Sequence, residues 1–135
     1  MNKVVKRIII AVLCLAVAGG LFFGGRLLID TMRYRRIISE IELITPNITQ
    51  IENGTFNGFF DAILVSADVD VVVENGKVVE VIINNHYFGR DSAREAEVVA
   101  TEVVERQTLY VDTVTGATNS SLVILKAIQL ALDGE

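Results

Sequence analysis

Residues Ile8 to Gly25 form a run of eighteen positions without a single charge. As an α-helix this run is about 27 Å long, close to the roughly 30 Å hydrocarbon core of a bilayer. Leu27 to Ile29 lengthen the span when the Arg26 side chain snorkels to the headgroups. The run restricts the chain to an N-terminal segment that folds against lipid, residues 1–29, and a water-facing remainder. A cleaved signal peptide is the competing reading: Lys3, Lys6 and Arg7 would be its basic region, and Ala16-Val-Ala18 its small-residue cleavage site. The apolar run carries on through Leu21-Phe22-Phe23, which favours an uncleaved single-pass anchor in the cell membrane. Ala16, Gly20 and Gly24 recur at four-residue spacing, a small-residue face of the kind that packs against other membrane helices.

Charge divides sharply along the sequence. Residues 1–36 carry seven Lys/Arg against the single acid Asp30, whereas residues 37–135 carry five against sixteen Asp/Glu. The water-facing part is strongly acidic, so it has no basic patch to neutralise phosphates, and nucleic acid is excluded as a partner. The one cysteine, Cys14, lies inside the apolar run, and there is one histidine. Neither a disulfide nor a cysteine- or histidine-rich metal site is expected. Basic residues on the two sides of the span nearly balance, so charge alone does not orient it.

Periodicity outlines the remainder as an α+β fold, a small antiparallel sheet covered by helices. Residues 30–53 read as a juxtamembrane helix and linker. Tyr34, Ile37, Ile38, Ile41 and Ile44 share one face of a helix over Asp30 to Ile44, and Pro46 is expected to end it. The basic residues from Arg33 to Arg36 stand where they could touch anionic headgroups, and a plain solvated helix face is the equal alternative. Strands are predicted over Phe56 to Leu64, Ser66 to Glu74 and Lys77 to Asn85, the last two joined by the hairpin signal Asn75-Gly76. In the third strand the alternation puts Val79, Val81 and Ile83 on one side. A helix follows the capping box Ser92-x-x-Glu95 and runs to about Gln107, with Ala96, Val99, Ala100 and Val103 inward. A second, mostly apolar helix is expected over Ser121 to Asp133, with Lys126, Gln129 and Asp133 as its narrow polar stripe.

Before that last helix the chain reads Asp112-Thr-Val-Thr115-Gly-Ala-Thr118-Asn-Ser-Ser121. A Gly-Ala turn between hydroxyl residues at a helix N-terminus sets exposed oxygens beside backbone N–H groups, an arrangement suited to phosphate. The same residue types also serve an ordinary capped helix start. The stretch resembles the Asp-x-x-(Ser/Thr)-Gly-Ala-(Thr/Ser) motif of the FMN-binding domain family. The similarity continues from Gly54 to about Leu132: a Gly-x-Phe-x-Gly opening (Gly54, Phe56, Gly58), two strands around Asn75-Gly76, a polar helix, the motif and an apolar closing helix. Similar domains occur in subunits of the sodium-pumping NADH:quinone reductase, in Rnf-type complexes and in membrane-anchored extracellular flavoproteins. At 135 residues this chain has room for only the minimal version.

The resemblance implies that residues 54–135 form an FMN-binding domain whose FMN is esterified through its phosphate to Thr118 by a separate flavin transferase using FAD. Thr115, Gly116, Ala117, Asn119 and Ser120 would surround the attachment point, and Asp112 would act during the transfer. Ser120 and Ser121 are possible acceptors but are misplaced in the motif. His86, at the end of the third strand with Tyr87 and Phe88 before Gly89, would approach the flavin, and Tyr110 has a similar claim. The family's modification is typically extracytoplasmic, which implies that the domain lies outside with the N-terminus inside. No catalytic acid/base pair or metal site stands out. The expectation is therefore a membrane-anchored electron-transfer flavoprotein or subunit, with a redox protein or quinone as partner, rather than a self-contained enzyme. The alternatives are a non-redox accessory or assembly protein, and an enzyme that reduces a small acceptor at the flavin.

Overall fold

The computed structural model describes residues 2–87 and 91–134, with the side chains of all of these except residues 91–93. Phe88, Gly89 and the Ser92 side chain of the expected capping box lie outside the described residues. The chain divides into two compact units, residues 1–33 and residues 34–135.

Helix α1, Lys3–Ser39, contains the uncharged run and buries none of its residues. It is long and apolar enough to cross a membrane. Large side chains such as Leu15, Leu21, Phe22 and Phe23 are exposed along it, as expected of a helix whose apolar surroundings would be lipid. The helix ends at Ser39, not near Ile44 as the periodicity suggested. Beyond it, residues 41–47 adopt no regular secondary structure and are held by tertiary bonds. The Ile44 N–H donates to Gln129 Oε1 (3.1 Å), and Lys126 Nζ donates to the Glu42 carbonyl (3.2 Å). Thr45 Oγ1 accepts the Leu109 N–H at 2.9 Å. These bonds replace those a further helical turn would have made, while Ile41 and Leu43 still pack on the core. The narrow polar stripe of the last helix is thus the ledge on which this segment lies.

Three antiparallel strands follow in the order β1-β2-β3: Gly54–Asp61, Ser66–Glu74 and Lys77–Tyr87. β1 stops three residues before the expected end because Ala62 to Val65 close a tight turn. There the Ala62 N–H donates to the Val65 carbonyl (2.8 Å), with Ile63 at φ 73°. Asn75 and Gly76 turn the second hairpin at φ 51° and 72°, the left-handed pair that their side chains tolerate best.

β2 alternates as its sequence indicates, burying Ala67, Val69, Val71 and Val73. β3 does not. Its pairing with β2 slips between Val72 and Val73 and again between Asp68 and Val69, leaving Val79 and Asn84 as extra residues. Each bulge shifts the inward phase by one. Val78, Val81, Ile83 and His86 therefore stand opposite Val73, Val71, Val69 and Ala67, and Val79 turns outward.

A 3-10 turn over Asp91–Glu97 precedes α2, Val98–Arg106, so the α-helix proper starts later than a capping box at Ser92 would place it. Ala96, Val99, Ala100 and Val103 face the core as expected. Gln107 ends α2 in the left-handed conformation. Its side chain clasps β3, accepting the Val78 N–H (2.9 Å) and donating to the Val78 carbonyl (2.7 Å).

The closing helix α3, Thr118–Asp133, begins three residues earlier than predicted. It packs on β1 at Gly58, where any Cβ would overlap the Ala127 carbonyl oxygen and come within 2.7 Å of the Ala131 nitrogen. The second glycine of the Gly-x-Phe-x-Gly opening is thus a helix–sheet contact point. The protein is an α+β fold with one sheet face covered by α2 and α3.

Candidate functional site

Side-chain contacts fix the direction of α3. Gln129 meets Ile44, the adjoining Thr45 meets Leu109, and Gln107 meets Val78 beside the Asn75-Gly76 turn. The C-terminal half of α3 therefore lies toward that turn. Its N-terminus points toward the opposite end of the sheet, where Ala62–Val65 turn and where His86 and Tyr87 finish β3. The fold thus brings the Thr118 end of α3 and the His86 end of β3 to one end of the sheet.

The loop before α3 is built from backbone. The Ala117 N–H donates to the Val114 carbonyl (2.9 Å), closing a turn whose tip is Thr115-Gly116. Gly116 has φ 82°, and nothing lies within 4 Å of where its Cβ would be. The turn needs glycine for its backbone and leaves the approach open. Thr115, Gly116, Thr118 and Asn119 are exposed, as is Asp112 upstream. Ala117 is buried and Ser120 is only 3% exposed, so Ser120 faces the core and its hydroxyl is withdrawn from any acceptor position.

Ala117 occupies the N-cap of α3, and no side chain caps the helix. The N–H groups of Thr118, Asn119 and Ser120 precede the first helical bond, from the Ser121 N–H to the Ala117 carbonyl at 2.9 Å. They are the first-turn donors that have no partner four residues back. No acidic residue lies in the first turn. The positive end of a sixteen-residue helix therefore meets an exposed hydroxyl, Thr118, with no carboxylate from that turn opposing an anion. These residues fit a phosphate monoanion joined through Thr118. The interaction with the helix terminus is worth on the order of 0.3–1 kcal/mol.

His86 is not an open strand-end residue. Its side chain is 1% exposed, and Nδ1 lies 3.2 Å from Glu97 Oε1, which ties β3 to the 3-10 turn before α2. A contact from Nδ1 to a ligand would require Glu97 to give way. Tyr87 and Tyr110, by contrast, are 60% and 67% exposed. Tyr87 offers an aromatic face at this end of the sheet, whereas Tyr110 follows Gln107 and Leu109 on the side of the Asn75-Gly76 turn.

Two residues escaped sequence reasoning. Glu97 has no spacing cue that links it to His86. Ser121 reads as a surplus hydroxyl in the motif, yet it is fully buried and bonded to the loop from below: it accepts the Val114 N–H (3.1 Å) and donates to the Ala117 carbonyl (2.9 Å). Its only sequence signal is a polar residue at an inward position of an apolar helix. Among the described residues, no group of three or more His, Cys, Asp or Glu side chains is placed to hold a metal ion.

The profile of the FMN-binding domain family matches residues 64–133, just over half of the 135-residue chain. The match takes in β2, β3, both covering helices and the loop before α3. β1 lies ahead of it, although it pairs along its full length with β2. No curated protein and no solved structure matches the chain.

Proposed function

The chain belongs to the FMN-binding domain family, and we propose that it carries FMN covalently on Thr118 and relays electrons as a membrane-anchored flavoprotein. FMN is its cofactor. When bound, the flavin supplies one- and two-electron chemistry, and the chain's own residues tether it and restrict its surroundings. The observation that carries the reading is the exposed Thr118 hydroxyl on the uncapped first turn of α3, beyond a glycine turn with an open approach.

In this reading Thr118 Oγ1 attacks the FMN phosphate of FAD on a separate transferase. A new O–P bond forms, the phosphoanhydride bond breaks, AMP leaves, and the hydroxyl proton passes to a base on the transferase side. The first-turn N–H groups of α3 then face the phosphodiester's single negative charge. Asp112, exposed in the same loop, assists the transfer through the transferase's metal or the acceptor hydroxyl. Tyr87, exposed at the His86 end of β3, is the ring placed to flank the isoalloxazine. Electrons enter and leave through a neighbouring redox protein or a quinone at the membrane surface, on the extracytoplasmic side.

Co-expression with the cognate transferase tests this directly. The denatured full-length chain is expected to fluoresce as a flavin band on a gel, and Thr118→Ala to abolish the band while the protein stays folded. Thr118→Ser keeps a hydroxyl and should retain part of the modification. Peptide mass mapping that placed FMN on Thr115 or Ser120 would overturn the assignment.

A further inference from the structure

We propose that Ser121 is a positioning residue for flavin attachment: from beneath the loop, its hydroxyl holds the Thr115-Gly116 turn in the one geometry that presents Thr118 to the transferase. This inference rests on Thr118 as the acceptor and deepens that reading.

A buried hydroxyl must be hydrogen-bonded, and Ser121, with no exposed surface, has both its bonds to loop backbone. It accepts from the Val114 N–H at 3.1 Å and donates to the Ala117 carbonyl at 2.9 Å. Val114 in turn gives its carbonyl to the Ala117 N–H at 2.9 Å. Both polar backbone groups of Val114 are thereby committed to closing the loop, and Thr115 and Gly116 form the tip between the two clamped residues. The Ala117 carbonyl also receives the Ser121 N–H at 2.9 Å, the first helical bond of α3. The turn and the first helical turn are thus one hydrogen-bonded unit with Ser121 at its node.

Packing alone does not call for a serine here. Alanine is the better helix former and would suit a sealed position on an apolar helix. What the hydroxyl adds is confined to the loop. Without it, one bond, from the Ala117 N–H to the Val114 carbonyl, is left to close the turn, and the exposed tip samples more conformations. A transferase that binds one of them then pays for ordering the rest: the apparent affinity falls by the fraction of the time the loop is competent. The effect is on acceptor recognition, so it falls on KM for the protein more than on kcat.

The experiment uses the purified full-length chain in detergent, without flavin, together with the transferase and FAD. Ser121→Ala is expected to lower kcat/KM for covalent loading by about tenfold or more, chiefly through KM. Ser121→Thr, which restores the hydroxyl, should recover most of the loss. Hydrogen exchange in the unmodified wild-type chain supplies a readout that needs no loading and no variant. The Val114 amide should exchange much more slowly than that of Gly116, and this protection should vanish in Ser121→Ala. Equal exchange at Val114 and Gly116 in the wild type overturns the clamp, even if Ser121→Ala does not fold. Wild-type loading with an unchanged kcat/KM in Ser121→Ala overturns this inference alone, whereas a wild-type chain that takes no flavin at Thr118 removes the acceptor reading and this inference together.

Discussion

If Thr118 is the acceptor proposed above, Asp112 and Ser121 would divide the work around it in a way that substitution can separate. Asp112 is exposed and Ser121 is sealed, so one is available to the transferase and the other only to the loop. Asp112→Ala is therefore expected to impair flavin loading by slowing the transfer step, with little change in thermal stability, since exposed substitutions usually shift stability by no more than about 0.5 kcal/mol. Loading kinetics beside a melting curve check this; loading at the wild-type rate would reduce Asp112 to a loop residue. A second residue-scale expectation concerns the open face of the sheet. Asn57 Nδ2 donates to Asp68 Oδ1 (2.7 Å) and Asp70 Oδ1 (2.8 Å). The hydrogen bond from Asn57, with a second from Asn84, holds the Asp70 carboxyl below its ordinary range. A depressed folded-state value contributes stability above the unfolded pKa, and the contribution is lost as pH falls through the folded one. The stability gap between wild type and Asn57→Ala should accordingly be present at neutral pH and shrink as the solution is acidified below about pH 4, the ordinary aspartate range. A gap that stays constant across that titration would show that Asn57 acts through the backbone carbonyl of Val69, which it also meets at 3.2 Å, and not through charge.

At the scale of elements, the helix–sheet seam is set by Gly58. Adding one methyl there drives it into the Ala127–Ala131 backbone of α3. Gly58→Ala should cost about 1–3 kcal/mol, the usual penalty of overpacking, read as a lower denaturation midpoint with an unchanged slope. An unaltered midpoint would mean that α3 can slide along β1. The sequence exposed much of this layer. The Asn75-Gly76 hairpin, the alternation of β2 and the inward residues of α2 follow from local chemistry, because turn conformation and amphipathic period are written in adjacent residues. What stayed hidden depends on partners distant in sequence. Val79 and Asn84 look like ordinary alternating positions until pairing with β2 makes them bulges. The end of α1 at Ser39 follows from Gln129 and Lys126, more than eighty positions away, which take the backbone groups of Ile44 and Glu42. The site divides in the same manner. The loop before α3 was legible as a family motif, while the burial of Ser120, the His86–Glu97 bond and the bonds from Ser121 to the loop backbone emerge only once α3 and β3 are packed.

At the scale of the whole molecule, the decisive quantity is where the acidic unit lies relative to the bilayer. Tyr34, Ile37 and Ile38 already pack on the core of that unit. Only residues 30–33 separate them from Ile29, the last apolar position of the proposed span, and four residues reach at most about 14 Å. An anchor that remains in place would keep the acidic unit close to the bilayer, as the proposed exchange with a quinone or a membrane-bound redox protein requires. A cleaved segment would release the domain and require a soluble partner. The expectation is an uncleaved, single-pass chain with its domain outside. It should resist carbonate extraction, keep its original N-terminus, and expose the region from Asn47 onward to protease added to intact cells. An N-terminus beginning at Gly19 would establish cleavage after Ala18. Protection of the domain from external protease would place it in the cytoplasm, and the extracytoplasmic relay would have to be abandoned even if Thr118 still carried FMN.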